Sequence, residues 1–402
     1  MKICMLATSF PRHKEDFVGQ WVLGLARALV DKGANVTVIA PHDHDTSDED
    51  TWDGIQIRRF YYWLPKSSHG LCYGAGIPTN IRRKKWVALQ FPTLEAGFLS
   101  AALRYGKDAD VYNAHWTFAG LPTVWVSKLK RKPLVTTAYS AEYVNKALHP
   151  LNKYIVNNSS AVISISQFTK DTLEQVVKPR RHHVIGLGVN SEKIAPEDFN
   201  IAEFRAQQGI MTDEKLIFAV GRLVERKGYA VLIEAMTALI NQGKPYRLLL
   251  AGQGPDRDLL QAQINASGMD AHIRLIGFVP DEQLKYYLKA SDILVMPSIM
   301  DQSGDTEGLG LPLIEAMANG TPVVASRIGG ILDIVEHEKT GLLTEPGNVS
   351  ELASAIERVI SEPTLAQHLV QEGYALVNSR FAWSNIADET LKVFEDAVRN
   401  NP

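Results

Sequence analysis

The sequence is poor in cysteine, in charge of one sign and in long apolar runs, and each lack excludes a class of protein. Two cysteines in 402 residues, Cys4 and Cys72, cannot build a disulfide-dense scaffold or a four-thiolate zinc site, and both are expected as reduced thiols. Lys and Arg number 42 against 45 Asp and Glu, a formal charge of −3, so no chain-wide field draws the protein to nucleic acid or an acidic membrane. Any basic function must be local. The N-terminal apolar run is broken at Thr8 and Ser9, too short for a membrane span and without a cleavage pattern. It reads as the first buried strand of a cytoplasmic α/β protein. No repeat, low-complexity tract or heptad is evident, and the 45% hydrophobic content suffices for two cores of about 200 residues each.

Short apolar runs alternate with helical patterns. In the first half, Ile3–Ala7, "NVTVIA", "DADVYNA", "KPLVTTA" and "SAVISIS" read as strands, and Phe17, Val18, Trp21, Val22, Leu25, Ala28 and Leu29 recur at helical spacing before Gly33. The pattern restarts after residue 187 with "KLIFAVG", "YRLLLAG", "HIRLIGF", "DILVMPS" and "PVVAS", with helices expected over 228–242, 256–267, 281–290, 311–319 and 350–360. Strands this short, separated by helices, require mostly parallel sheets with crossover helices. Glycines near 187–192 mark a boundary without a long linker, a hinge that leaves a cleft between two sheets.

The sharpest local signal is "DTEGLGLPLIEAMANGTPVVAS", in which Glu307 and Glu315 flank Gly308, Gly310 and a proline suited to a first helical turn. Backbone amides and the helix dipole favour an anion there, such as a phosphate. Carboxylates would repel that phosphate, so the two glutamates suit sugar or ribose hydroxyls; alone, they could equally be solvated or capping residues. Arg222, at a strand end, and Lys227, just before Gly228, supply positive charge within reach of a shared diphosphate. Arg226 could simply face solvent. Asp301 and Asp305 precede Glu307 in "MDQSGDTEG", where a solvated loop or an acceptor-hydroxyl contact suits them better than a metal site.

"GRLVERKG", "AGQGPDRDLL", "GFVPDEQLKYYLKASDILVMPS" and "EGLGLPLIEAMANGTPVVAS" together resemble the retaining nucleotide-sugar glycosyltransferases of family 4, of GT-B architecture: two facing Rossmann-like α/β domains around an interdomain cleft. The resemblance covers most of the chain and is sharpest over 215–345. It implies an acceptor-side domain over 1–188, a donor domain over 189–377, and a terminal helix over 378–402 returning to the first domain. Arg222 and Lys227 would bind the donor diphosphate, Glu307 would approach the transferred sugar and Glu315 would receive ribose hydroxyls. The amides of Gly308, Leu309 and Gly310 would face sugar or phosphate. Phe278 and Val279 would edge the nucleobase, and Gly252 and Gly254 would permit close approach beneath the nucleotide, unless they form an ordinary tight turn.

In the first half, Gly19 matches one member of the family's usual glycine pair close to donor and acceptor, with Val18 in the other position, so close approach to the donor would rest on Gly19 alone. His115 and Trp116 in "DVYNAHW" resemble acceptor-side residues. Where the family commonly has a His-Gly pair whose histidine contacts the donor sugar, this sequence has Tyr139 and Ser140, so the resemblance places Tyr139 at the donor sugar. Tyrosine still donates a hydrogen bond but has a different reach and cannot become an imidazolium, or it packs as cleft wall. The resemblance further implies leaving-group stabilisation by basic residues and amides, with no required cofactor or metal.

Arg58, Arg59, Arg82, Arg83, Lys84, Lys85 and Trp86 are interleaved with aromatics over 58–98. The segment reads either as a solvated edge with inward aromatics or as a shelf for a lipid-linked acceptor and an anionic membrane at the inner face of the cytoplasmic membrane. No recognition-helix or RNA-binding signature supports nucleic acid. The expected function is retaining transfer of a hexose or N-acetylhexosamine from a nucleoside-diphosphate sugar to a glycan or lipid-linked hydroxyl in exopolysaccharide or lipopolysaccharide biosynthesis. Alternatives are a nucleotide-sugar epimerase, a glycosyl phosphorylase and a noncatalytic sugar-nucleotide-binding module.

Overall fold

In the computed structural model, which describes residues 1–401 apart from Glu15, Phe17, His44, Asp45 and Ala75, the apolar runs become the strands of two sheets, one in each of two units. One unit comprises Met1–Gly188 and the chain from Trp383 onward; the other is Val189–Ala382. Phe17, expected in the first helix, lies outside the described residues; that helix runs Gln20–Asp31.

The first sheet contains β1 (Lys2–Ala7), β2 (Asn35–Pro41), β3 (Glu49–Trp52), β4 (Ile55–Phe60), β5 (Val111–His115), β6 (Leu134–Ala138), β7 (Ala161–Ser164) and β8 (His182–Val184), in the order β3-β4-β2-β1-β5-β6-β7-β8. All neighbours are parallel except the β3–β4 hairpin. Strands β5 and β6 are buried at every position, as a sheet covered on both faces requires. The hairpin escaped the apolar-run reading because β4 alternates buried and more exposed residues along "IQIRRF". Its turn is Asp53-Gly54, both at positive φ, the Asp-Gly signal of a two-residue hairpin.

Arg58 and Arg59 lie on β4, and the structure corrects their placement with the exposed basic segment. Arg59 is buried, donating to the Tyr73 hydroxyl and the Pro11 carbonyl, and Tyr62 and Tyr73 are buried with it. The guanidinium satisfies backbone and phenol oxygens that an apolar side chain would leave unpaired.

The second sheet contains β9 (Lys215–Val220), β10 (Tyr246–Ala251), β11 (Ile273–Gly277), β12 (Ile293–Met296), β13 (Val323–Ser326) and β14 (Leu342–Thr344), in the order β11-β10-β9-β12-β13-β14, all parallel. Its helices fall where the sequence periodicity puts them: Tyr229–Asn241, Arg257–Ser267, Asp281–Ala290, Leu311–Ala318 and Val349–Ser361. Val377–Phe381 continues the helix Pro363–Leu376 as one π turn within this unit, so the segment belonging to the first unit begins at Trp383.

The terminal helix Trp383–Arg399 buries Trp383, Ile386, Ala387, Thr390, Val393, Phe394 and Ala397, a stripe at helical spacing that joins the core of β1, β2 and the Gln20–Asp31 helix. The Trp383 indole is held between Gly24 and Gly188, where an added Cβ would sit 2.5 and 2.6 Å from it.

Strand order reverses direction in each sheet at a definite place: between β1 and β5 in the first, and between β9 and β12 in the second. In open α/β sheets the loops leaving such a switch point diverge and leave a crevice at the carboxyl ends of the strands. The chemistry-bearing residues lie on those loops.

Candidate active site

In the second unit, the loops after β9 and β12 are locked together. Gly228 has a left-handed φ of 65°, and a Cβ there would lie 1.9 Å from the Pro297 carbonyl oxygen, so only glycine lets the loops close. The Ile299 amide donates to the Arg226 carbonyl at 2.9 Å, and Arg226 Nη1 donates to the Thr306 carbonyl at 3.0 Å. Arg226 also lies 3.6 Å from the Asp305 carboxylate, so it ties loops together rather than simply facing solvent.

Within this frame Lys227 is buried, and its Nζ forms an ion pair with the Glu307 carboxylate, 80 residues along the chain. Burial by itself would raise Glu307; the Lys227 charge and hydrogen bond, Arg226 and the Gly308 amide outweigh it and hold the carboxyl below its ordinary value. The Gly308 amide is thus directed at Glu307. The Glu307 carbonyl accepts from the Gly330 amide at 2.8 Å, fixing the turn from its other side. Leu309 has a buried side chain, so only its backbone can meet a ligand. Gly310, at φ 102°, caps the helix Leu311–Ala318, with Pro312 in its first turn. Pro312 has no N–H and the Leu313 amide donates to the Gly310 carbonyl at 2.9 Å, so what that helix presents on the loop of Glu307 is chiefly its positive dipole end.

Glu315 sits one turn into this helix, and its environment acts in the opposite direction. Burial raises its pKa, Asp281 adds to the effect, and Lys193 at 3.7 Å opposes it. Lys193 is itself bound to Asp281. Sequence reasoning passed over both residues, because Lys193 lies in the mixed-charge stretch "NSEKIAPEDFN" with nothing to tie it to a helix 120 residues on.

Arg222 is exposed on the β9 loop, one residue from Gly221, which lies against the Lys227 side chain. Gly252 and Gly254 support the same loop: a Cβ at Gly252 would lie 1.8 Å from the Gly221 carbonyl, and at Gly254 2.1 Å from that of Leu223. The Gly252 amide donates to the Gly277 carbonyl at 2.7 Å, which brings the β10 loop beside exposed Phe278 and half-exposed Val279. Asp301 accepts from the Ser303 amide and hydroxyl and the Asp305 amide, closing its own turn. Among the described residues, no group of three or more His, Cys, Asp or Glu is placed to hold a metal ion.

In the first unit, the loops after β1, β5 and β6 gather aromatic side chains. Gly19 has φ 73° at the start of the helix Gln20–Asp31, and a Cβ there would meet the Ser9 carbonyl at 2.6 Å. Trp116 follows β5 with φ 67° and ψ 157°, a conformation that costs a non-glycine residue about 1–3 kcal/mol and collects at functional sites. Its ring stacks on Tyr139 at 4.8 Å, and Trp21 meets its edge at 6.1 Å. His115, expected to border the acceptor, is instead 1% exposed, because it still belongs to β5, with its ring turned to the Tyr139 hydroxyl. Glu142, absent from the sequence reading, accepts from the Tyr139 amide at 3.1 Å and the Thr117 hydroxyl at 2.7 Å. Desolvation pushes it up to about 7 against those bonds.

Arg82, Arg83, Lys84, Lys85 and Trp86 are exposed, running from the end of the helix Ile77–Arg83 through Lys84 into the 3₁₀ segment Lys85–Gln90.

Two mostly parallel sheets with switch-point loops of this kind are the Rossmann-like units of the GT-B architecture. Residues 18–193 match the family described as Glycosyltransferase Family 4, and residues 200–376 match Glycosyl transferases group 1. The amylovoran biosynthesis glycosyltransferase AmsK of Erwinia amylovora is 34% identical over 391 residues, 89% of this chain and 90% of that protein. The chain therefore belongs to the family-4, group-1 glycosyltransferases. Among solved structures, sucrose-phosphate synthase from Thermosynechococcus elongatus has a TM-score of 0.80 at 24% identity, covering 98% of both chains. Anabaena HepE in complex with UDP and glucose has a TM-score of 0.75 at 21% identity, covering 98% of this chain and all of that one. At these identities the two structures establish the fold.

The opposite environments of the two glutamates generate opposite stability effects. The depressed pKa of Glu307 means that its ionised form stabilises the fold at neutral pH, a contribution lost as pH falls through its folded value. The raised pKa of Glu315 means that ionisation costs stability as pH rises through its folded value. Glu307→Gln strands a buried ammonium and should destabilise the protein by about 3 kcal/mol, roughly 6–12 °C in melting temperature. Glu315→Gln should leave the melting temperature at pH 7.5 unchanged or higher. Thermal and urea melts check this, and equal losses in both variants would contradict the assignment.

Proposed function

We propose that the chain is a retaining, metal-independent glycosyltransferase that moves a hexose or N-acetylhexosamine from a nucleoside-diphosphate sugar to a hydroxyl of a glycan or lipid-linked acceptor in exopolysaccharide or lipopolysaccharide assembly. The observation that carries the reading is Lys227: a buried ammonium at the β9–β12 switch point, with Arg222 on its own loop and the loop of Glu307 leading to a helix N-terminus. Such a set suits a diphosphate leaving group. AmsK is named as an amylovoran biosynthesis glycosyltransferase, and HepE was solved with UDP and glucose, which agrees with transfer of a sugar from a sugar nucleotide.

In this mechanism the bond from the anomeric carbon to the diphosphate breaks while the acceptor oxygen bonds to that carbon on the same face, and the acceptor proton passes to a leaving phosphate oxygen. Arg222, Lys227 and the positive dipole end of the Leu311–Ala318 helix stabilise the charge that develops on the diphosphate. Glu307 is a poor nucleophile, because Lys227 and the Gly308 amide occupy its carboxylate. Its role is to keep Lys227 in place and to receive a sugar hydroxyl. Glu315 receives ribose hydroxyls, and Phe278 and Val279 edge the base. Asp301 is consumed by its own turn and Asp305 faces Arg226, so the countercharge for the diphosphate comes from side-chain cations rather than a divalent ion.

Replacing Arg222 or Lys227 with alanine should cut kcat/KM for transfer at least about 10-fold, roughly 1.4 kcal/mol of transition-state stabilisation. A product-resolved screen crossing UDP-, GDP-, ADP- and dTDP-sugars with soluble and lipid-linked acceptors provides the assay, and activity should survive exhaustive chelation. Donor epimerised without acceptor, phosphate-dependent cleavage, or binding without turnover would each replace the proposal with one of its rivals.

Peripheral contact with an anionic membrane rests on a separate observation. Arg82, Arg83, Lys84 and Lys85 are exposed and form no ion pair among the described residues. Trp86 and Leu89 follow, 45% and 68% exposed. Three residues apart in a 3₁₀ segment, these two stand on one face. No helix of the described residues is long and apolar enough to cross a membrane. Changing the four basic residues to glutamine should reduce sedimentation with phosphatidylserine liposomes in a salt-dependent manner and impair lipid-linked but not soluble acceptors. Unchanged recovery and equal activity would reject the contact.

A further inference from the structure

The first unit holds a hydrogen-bonded pair that the mechanism above does not use. Strands β5 and β6 are parallel neighbours with His115 opposite Thr137, so the residue ending β5 and the one following β6 come together at the same edge of the sheet. His115 Nδ1 lies 3.0 Å from the Tyr139 hydroxyl. The imidazole is 1% exposed, and among the described residues its Nε2 is buried without a hydrogen-bond partner.

That orphan decides the tautomer. With the proton on Nε2, a buried N–H would have no acceptor, the rarer and costlier kind of unsatisfied group in folded proteins. With the proton on Nδ1, the unmatched atom is a bare ring nitrogen, and the N–H points at Tyr139. Burial drives the histidine pKa down to about 3, so the ring is neutral at working pH and has one proton to place. The phenol ring is fixed by the stacked Trp116. Its pKa is raised by burial and by Glu142 against the opposing Trp21 indole N–H, a donor only, so the hydroxyl keeps its hydrogen.

We infer that His115 is a positioning residue: it donates from Nδ1 to the Tyr139 oxygen and so turns the single hydroxyl hydrogen of Tyr139 outward, as the donor to a hydroxyl of a bound sugar. This rests on the reading that Tyr139 borders a sugar. The pair makes the tyrosine a directed donor at the position where a histidine is common among similar transferases. It suits a sugar that offers a hydroxyl oxygen as acceptor at this point, and it works against a deoxy sugar.

The experiment combines a tautomer measurement with a kinetic cycle. In protein labelled with ¹⁵N-histidine, the resonance missing from His115→Asn should show the proton on Nδ1; a proton on Nε2 would overturn the inference without any functional assay. In transfer assays with the donor and acceptor found by the screen, His115→Leu should lower kcat/KM about 10-fold. His115→Asn, which keeps an N–H near Nδ1, should recover most of that loss. Tyr139→Phe should cost at least as much as His115→Leu, and the double variant should be no worse than Tyr139→Phe alone. UDP binding should be unaffected throughout. Full additivity of the two losses would reject the positioning role while leaving Tyr139 at the sugar. A Tyr139→Phe enzyme with wild-type kinetics would reject the underlying placement as well.

Discussion

A buried lysine facing a buried glutamate is the constraint around which the second unit is organised. Taking both charges out of water costs several kcal/mol per ion, and their attraction offsets this only where geometry is tight and the remaining hydrogen bonds are met. The surrounding sequence supplies those conditions. Gly228 lets the loop carrying Lys227 reach Pro297, Arg226 binds the carbonyl of Thr306, and the Gly308 amide completes the Glu307 carboxylate. A well-packed apolar pair would stabilise the fold at least as well. The ionic one keeps an ammonium on the loop next to Arg222, with a helix N-terminus on the partner loop, and in the function proposed for the chain a diphosphate would find its countercharges already oriented.

The first unit shows the same logic with neutral groups. Its switch-point loops carry a tryptophan in a backbone conformation that side chains disfavour, a glycine that must be glycine, and a histidine too buried to ionise. Each of these would be a local defect in an ordinary loop. Together they fix the face of Tyr139 and Trp116 and leave little freedom for the ring that a ligand would meet.

Much of this was legible in the sequence because the signal was local. Buried parallel strands are continuous apolar runs, so ten of the fourteen strands stood out, while β3, β4, β8 and β14 are short or alternating and did not. The Asp53-Gly54 turn could have exposed the hairpin. Glycines beside Lys227 and Glu307 announced a turn and a helix start, but no pattern says that residues 80 apart form an ion pair. Burial was also invisible: Arg59 and His115 carry the residue types of a surface, and only the fold shows that one donates to the Pro11 carbonyl and the Tyr73 hydroxyl and the other lies against the Tyr139 hydroxyl. Lys193 beside Glu315 was missed because it is one lysine in a mixed-charge segment.

The central claim is that Lys227 is a phosphate-binding cation held ready by Glu307, and calorimetric binding of UDP against uridine tests it most directly. Lys227→Met combined with Glu307→Gln removes both charges together and avoids stranding either one. Wild type should prefer UDP over uridine, and the double variant should lose at least about 10-fold of that preference, roughly 1.4 kcal/mol, while holding uridine as before. A folded double variant that keeps the full preference for UDP would contradict the account.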